Sequence, residues 1–357
     1  MNLRKCRSAL RRNSLDGNFT IEFNSRPKHA SDAFGVRVTM AKDYVLFLHG
    51  VNVRESEENE KTKNYTYANS LFKLITEIVQ QKSPTRNCIK VPLYWGNVNR
   101  AALNELLVSL QGSSKWNQLW FQDFRKSQLL QFVGDAGLYI SRLIGSMAAD
   151  QLKEQAFKGL EEYEPEDRLH LVTHSWGTVI LFDILFASRW DNQGIPGYSS
   201  VKAIRDRLYG IGENPTQGIR LASIQTMGSP IALFSLITIS GRNANDESTF
   251  DISPGLENLL KNLVQGDKKL PWLNFIHPGD PIAWSLEKVI NKLITGSERY
   301  VQVEDILTRG SGFWELIAQT PPIRQTFLAL ANGGSAHGSY WHNRELAQRI
   351  ATNILTV

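Results

Sequence analysis

The stretch Leu169-His170-Leu171-Val172-Thr173-His174-Ser175-Trp176-Gly177-Thr178-Val179-Ile180 joins two patterns that cannot belong to one element. Leu169 to Thr173 is mostly apolar and includes Val and Thr, as a buried strand requires. From Thr178 an almost unbroken apolar run (Val179, Ile180, Leu181, Phe182, Ile184, Leu185, Phe186) reads as a buried helix. Ser175 therefore falls where a strand turns sharply into a helix. Such a turn, a nucleophile elbow, pushes a serine Oγ out of the sheet beside a helix N-terminus. The usual pattern is G-x-S-x-G; here Thr173 stands at the first glycine and Gly177 at the last.

The rest of the chain alternates strand and helix patterns around that turn. Tyr44-Val45-Leu46-Phe47-Leu48 reads as a central strand buried on both faces, ended by His49-Gly50. Residues 52–66, with Glu55, Glu57, Glu58 and Glu60, read as an exposed, solvated loop without metal-ligand spacing. Leu71, Leu74, Ile75, Ile78 and Val79 recur at helical spacing. Further strands are expected at Ile89–Trp95, where Pro92 is a defect, at Ile219–Met227, at Trp272–Ile276 and at Tyr300–Val303. Residues 128–163 read as one long helix or a broken pair, 241–258 as an exposed loop, and 342–354 as a terminal helix. This alternation predicts an α/β fold with a mainly parallel, doubly wound sheet. Residues 97–127 are left over as an apolar, aromatic insertion with Leu106, Leu107, Leu110, Trp116, Leu119, Trp120, Phe121 and Phe124. It fits either a cap over the site or helices covering the sheet.

Charge and cysteine content narrow the setting. Five of the forty basic residues lie in the first twelve positions with no acid among them, which leaves thirty-five of each sign in the remainder. The body is neutral, so its composition gives no reason to expect a nucleic-acid partner. The basic head is suited to peripheral contact with anionic lipid, and equally to a solvated terminus. It has no apolar core for a secretory signal, and its Arg-rich, acid-poor start only faintly suggests an organellar transit peptide. Residues 1–39 are read as a flexible accessory extension and 40–357 as the folded domain. No apolar run is long enough for a membrane span. Two cysteines, Cys6 and Cys88, imply no disulfide framework and favour a reducing, cytoplasmic setting. A phosphate-cradling G-x-x-x-x-G-K-[ST] loop and an H-E-x-x-H helix are both absent, and no cofactor or metal is expected.

A serine hydroxyl is a poor nucleophile at neutral pH and needs a base, an orienting acid and an oxyanion hole. Candidates for each lie at predicted strand ends, in the chain order Ser, acid, His. The pieces Phe47-Leu48-His49-Gly50-Val51-Asn52, Thr173 to Ile180, Thr226-Met227-Gly228-Ser229-Pro230, Asp280-Pro281-Ile282-Ala283 and His337-Gly338-Ser339-Tyr340-Trp341 together resemble the α/β-hydrolase superfamily. The resemblance is to its intracellular serine esterase and lipase branch, which includes inositol-deacylase-like and phospholipase-like proteins. It spans about residue 43 to 357 and leaves out residues 1–39 and 97–127.

The resemblance implies Ser175 as nucleophile, His337 as general base and Asp280 as acid. Glu304 and Asp305 stay open as alternative acids, and His342 as an alternative base. His277 competes less well. His49, Gly50, His174 and Gly177 would be supporting residues, while Asp183 inside the elbow helix reads as a buried structural carboxylate. The oxyanion donors would be the N–H of Trp176, which follows the nucleophile, and of Val51. The expected activity is carboxylic-ester hydrolysis on a small-molecule or lipid substrate through an acyl-enzyme. Acyl transfer, thioester cleavage and a non-catalytic binding module are the alternatives, and oligomeric state is left open. Serine in place of aspartate at the elbow disfavours dehalogenase and epoxide-hydrolase chemistry.

Overall fold

Alternate residues of the first strand face two different cores. In β1 (Lys42–Leu48), Tyr44, Leu46 and Leu48 pack on one side while Val45 and Phe47 pack on the other. A strand apolar at every position from Tyr44 to Leu48 needs helices on both faces, which is the situation of a parallel sheet. The computed structural model describes residues 41–51, 53–119, 122–126, 130–140, 142–233, 251–264, 268–308 and 336–357. The sequence expectations for residues 1–39, Asn52, Trp120, Phe121, 241–250 and Gly333-Gly334-Ser335 lie outside these.

Six strands form one sheet: β1, β2 (Asn87–Leu93), β3 (Arg168–His174), β4 (Arg220–Met227), β5 (Leu270–Ile276) and β6 (Val301–Leu307). Their order is β2-β1-β3-β4-β5-β6, and every neighbouring pair is parallel. The chain therefore steps outward from β1 to β2, then returns to the other side of β1 as β3. The carboxyl ends of β1 and β3 flank this change of direction, where open α/β sheets form a crevice.

Helices α1 (Glu57–Thr62) and α2 (Asn69–Lys82) join β1 to β2. On α2, Leu71, Ile75, Ile78 and Val79 are the buried stripe, packed with the C-terminal helix and one face of the sheet. After β2 come α3 (Arg100–Gln111), α4 (Leu130–Ile140) and α5 (Arg142–Gly159). Beyond β3 follow α6 (Trp176–Phe186) and α7 (Tyr198–Asp206), then α8 (Ser253–Leu263), α9 (Glu287–Leu293) and α10 (Arg344–Thr356). α6 is buried along its whole length, which explains its all-round apolar sequence.

Several expectations need correction. Pro92 does not interrupt β2, because β2 is an edge strand and a missing N–H is tolerated there. Residues 253–258 are not loop but the start of α8: Pro254 opens the helix, and Leu256, Leu259 and Leu260 bury one stripe. The Ser-Pro-Gly composition had hidden that spacing. Residues 52–66 are not uniformly solvated either. Ser56 caps α1, Glu55 accepts the N–H groups of Thr66 and Tyr67, and Glu60 pairs with Arg100. Among the described apolar residues of the 97–127 segment, Leu103 of α3 and Trp116 beyond it are buried, whereas Leu106, Val108, Leu110 and Leu119 are exposed. No helix among the described residues is long and apolar enough to cross a membrane.

Candidate active site

Ser175 closes β3 and opens α6 with φ 55° and ψ −134°, a left-handed φ that few non-glycine residues adopt. The turn holds because its surroundings leave little alternative. Ser175 N–H bonds to the Met227 carbonyl at 2.9 Å, and Thr178 N–H closes back on the Ser175 carbonyl at 3.0 Å. A Cβ at Gly177 would lie 2.3 Å from the His49 carbonyl oxygen, and one at Gly50 would lie 2.8 Å from Ser175 Oγ. Both glycines are required by close approach of the β1 end to the elbow. At the position where glycine is usual, Thr173 is fully buried; its Oγ1 donates to the Gln225 carbonyl and accepts from Thr178 Oγ1.

The His-Gly after β1 organises the neighbouring peptide. Trp95 N–H donates to His49 Nε2 at 3.3 Å, so the ring proton sits on Nδ1, which donates to the Gly50 carbonyl at 2.6 Å. In a trans peptide the C=O and N–H point in opposite directions. Fixing the Gly50 carbonyl on His49 therefore turns the Val51 N–H away from His49. Burial pulls His49 down to about 3, so the ring stays neutral and keeps this tautomer. Trp176 supplies the first amide of α6, directly after Ser175.

His337 and Asp280 arrive from the other side of β3. Asp280 follows β5 and is buried; its Oδ2 accepts His337 Nδ1–H at 2.8 Å and the Tyr340 hydroxyl at 2.8 Å. Its Oδ1 accepts the Ile282 N–H at 2.9 Å. Burial opposes ionisation of this carboxyl, but the bonds from His337, Ile282 and Tyr340 outweigh it and hold it below its ordinary range. His174 holds His337 in place: its Nε2–H donates to the His337 carbonyl at 2.7 Å, and the two rings lie 4.6 Å apart. Burial first, and the neighbouring His337 second, pull His174 down to about 3.

Gly228, at φ 56°, lies among these groups. A Cβ there would fall 2.7 Å from Asp280 Oδ2, 3.0 Å from the Tyr340 ring and 3.1 Å from His337 Cε1. With the Ser175 N–H on the adjacent Met227 carbonyl, this backbone corner ties the serine side of the site to the acid–base side. Ser175 Oγ and His337 Nε2 are both buried and neither has a hydrogen-bond partner, so the Ser–His bond is not closed. Such bonds are often long or open before substrate binds.

The remaining candidates are placed elsewhere. Glu304 and Asp305 lie within β6 rather than beyond it, because the strand runs to Leu307. Glu304 is half exposed and pairs with Arg349. Asp305 accepts Asn274 Nδ2, Ser285 Oγ and the N–H groups of Leu286 and Glu287, so its carboxylate caps the start of α9. His342 is exposed at the end of a 3-10 turn (Ser339–His342) before α10, not inside that helix. His277 Nδ1 accepts Gly279 N–H within its own turn. Asp183 accepts the Tyr139 hydroxyl, Arg189 and the Trp190 indole in the core, a structural use. Among the described residues no group of three or more His, Cys, Asp or Glu has metal-binding geometry.

Sequence reasoning missed Tyr340 and a second Ser-His-Asp set, Ser223, His170 and Asp43, near the amino end of the sheet. The spacing of three between His337 and Tyr340 could have signalled the first, because such residues share one face of a helical turn. No protein-family model matches the chain, and no curated protein matches it.

Proposed function

We propose that this chain is a serine hydrolase of carboxylic esters, built on an α/β-hydrolase-type fold, with Ser175, His337 and Asp280 as its triad. The observation that carries the reading is the pairing of Asp280 Oδ2 with His337 Nδ1 at 2.8 Å, while His337 Nε2 and the hydroxyl of a serine on a strained strand-to-helix turn are both buried without a partner. The strand order supports the fold: nucleophile after β3, acid after β5 and base beyond β6 all collect at one end of a parallel sheet.

In this mechanism His337 Nε2 takes the Ser175 proton as Oγ attacks the ester carbonyl carbon. The Val51 and Trp176 amides receive the oxyanion, each such donor contributing about 3 kcal/mol in the transition state. The imidazolium then gives its proton to the departing alcohol, leaving Ser175 acylated, and water repeats the sequence. Asp280 holds the Nδ1–H tautomer throughout and compensates the imidazolium charge. The exposed Leu106, Val108, Leu110 and Leu119 in the segment that follows β2 support a lipid-facing cap, and so an ester with an acyl chain. No cofactor enters these steps.

A second reading has one observation in its favour. Ser175 is 1% exposed and its bond to His337 is open, as in a binding module that keeps the fold without the reaction. A fluorophosphonate probe separates the two. Labelling of the wild-type chain but not of Ser175→Ala supports the hydrolase; a folded, unlabelled wild type supports the module. Among labelled outcomes, p-nitrophenyl esters of rising chain length and phospholipid vesicles test the lipid part. A preference for short soluble esters would remove it.

A further inference from the structure

Tyr340 lies three residues beyond His337 and is fully buried. Residues 336–338 are helical and Ser339–His342 form a 3-10 turn, so base and phenol come off one helical segment. Both reach the same atom. Asp280 Oδ2 accepts His337 Nδ1–H and the Tyr340 O–H, each at 2.8 Å, and the phenol oxygen in turn accepts the His277 N–H at 2.9 Å. The Tyr340 hydroxyl thereby both donates and accepts, and Asp280 Oδ2 carries two donors. The phenol keeps its proton, because burial and the adjacent Asp280 charge push its ionisation upward.

We infer that Tyr340 is a positioning residue: its hydroxyl shares Asp280 Oδ2 with His337 and thereby fixes the orientation and basicity of the carboxylate that holds the base. The catalytic consequence rests on the hydrolase reading above; the electrostatic one does not. A carboxylate oxygen with two donors cannot swing about its side-chain bond, so the imidazole it carries is held in one plane. The same second donor stabilises the anion and spreads its charge, which moderates its pull on Nδ1–H. Three ionisable side chains surround the carboxylate: His337 and Tyr340 from the turn before α10, and His174 from the elbow. His174 donates to the His337 carbonyl rather than to the carboxylate, so of these only Tyr340 is a donor to Asp280 that stays neutral through the whole catalytic cycle.

The test removes or strengthens that donor without changing the ring. Carbon-13 carboxylate NMR follows the Asp280 titration in the wild type, in Tyr340→Phe, and with 3-fluorotyrosine incorporated at position 340. Loss of a hydrogen bond to a charged group moves the Asp280 midpoint up by about one to two pH units in Tyr340→Phe. The more acidic fluorophenol is a stronger donor and moves it down. The fluorinated chain preserves both hydrogen bonds, so it reports even where the phenylalanine variant folds poorly. Turnover of p-nitrophenyl acetate gives the catalytic half: kcat drops on the order of tenfold in Tyr340→Phe with KM unchanged, and in an Asp280→Asn background the same change has almost no further effect. A carboxyl titration unmoved by either substitution overturns the inference, whether or not the chain hydrolyses esters. A titration that responds in a chain that neither labels nor turns over keeps the electrostatic role and overturns the hydrolase reading alone.

Discussion

At the amino end of the sheet, Asp43, His170 and Ser223 form a closer hydrogen-bonded chain than Asp280, His337 and Ser175 do at the carboxyl end. His170 Nε2–H meets Asp43 Oδ1 at 3.1 Å and Nδ1 accepts Ser223 Oγ–H at 2.6 Å. By residue type and spacing it is the more complete triad. Its surroundings make it a structural one. Asp43 is clamped by Arg86 at 2.8 Å and Arg168 at 3.1 Å, Ser223 lies inside β4 with its Oγ also accepting Gln225 Nε2, and both His170 nitrogens are used. At the carboxyl end the acid is equally satisfied, but Ser175 Oγ and His337 Nε2 are not, and the serine backbone is strained. Buried polar atoms are normally paired, so an unpaired serine hydroxyl on a strained turn and an unpaired imidazole nitrogen are what the proposed chemistry would need. A closed network points to folding.

The sharpest way to break this contrast is to exchange the serines' roles by mutation. Ser175→Ala is expected to lower ester turnover by roughly 10⁶-fold and abolish fluorophosphonate labelling, with its melting temperature near that of the wild type. Ser223→Ala should keep labelling and turnover but lose about 1–3 kcal/mol of stability, because His170 Nδ1 and Gln225 Nε2 are left buried without a partner. Labelling lost with Ser223 and kept without Ser175 would reverse the assignment.

The two aspartates extend the test. Asp280→Asn should lower kcat by up to ~10⁴-fold, since an amide no longer fixes the Nδ1–H tautomer. Asp43→Asn should leave kcat near normal and cost about 3 kcal/mol in a urea melt, because Arg86 and Arg168 lose the charge they enclose. Near-normal turnover of Asp280→Asn would send the search for an acid back through the molecule, and Asp305 is already spent on α9.

The carboxyl end was legible in the sequence for a physical reason: its parts are local. A strand, a sharp turn and a buried helix are written in adjacent residues, and His-Gly, Gly-Asp-Pro and His-Gly-Ser each sit beside a strand end or helix start. The amino-end set had no such signature. Asp43, His170 and Ser223 are each an ordinary polar residue inside a strand, and only the parallel register of β1, β3 and β4 brings them together. The same limit explains Asp305. Sequence placed it after a strand ending at Val303, whereas pairing with β5 extends β6 to Leu307 and turns its carboxylate toward α9. Helix α8 was missed because Ser253, Pro254 and Gly255 look like a loop by composition, although Pro at a first turn is how a helix begins.

Acidification is the next, smaller lever, and the histidines at both ends respond with the same sign. Burial lowers His49 and His174 to about 3 and also lowers His170, all from an ordinary 6.5. The folded state thus holds neutral rings that the unfolded chain protonates first. Their contribution is complete above about pH 6.5 and falls below it, for His49 and His174 by about 1.4 kcal/mol per pH unit each. Asp43 and Asp280 are depressed carboxyls, whose contribution is complete above about 3.8 and is lost only as pH falls through their lower folded values. Urea melts at pH 7, 6 and 5 therefore read the histidines alone. His170→Gln should flatten the slope while keeping the labelling rate; His174→Gln should flatten it and slow labelling, because His174 Nε2–H holds the His337 carbonyl. Equal labelling in both variants would remove the distinction between the two ends for histidine.

The smallest expected effect concerns the elbow residue that departs from pattern. Thr173→Gly installs the usual glycine two residues before Ser175 and removes the bond from Thr178 Oγ1 at 3.1 Å. If threonine crowded the turn, glycine would relax it and turnover would rise. The contacts predict otherwise. Thr173 points into the β4 side, donating to the Gln225 carbonyl, while the approaches that demand glycine are Gly50 against Ser175 and Gly177 against the His49 carbonyl. Turnover of Thr173→Gly should then stay within about threefold of wild type, less than 1 kcal/mol in the barrier. Stability should fall by about 1 kcal/mol from added backbone freedom and the lost hydrogen bond. Gly177→Ala, which drives a methyl to 2.3 Å from the His49 carbonyl oxygen, should instead abolish labelling. A large gain from Thr173→Gly would show that the strain at Ser175 is imposed by its neighbour rather than by the meeting of β1 and β3.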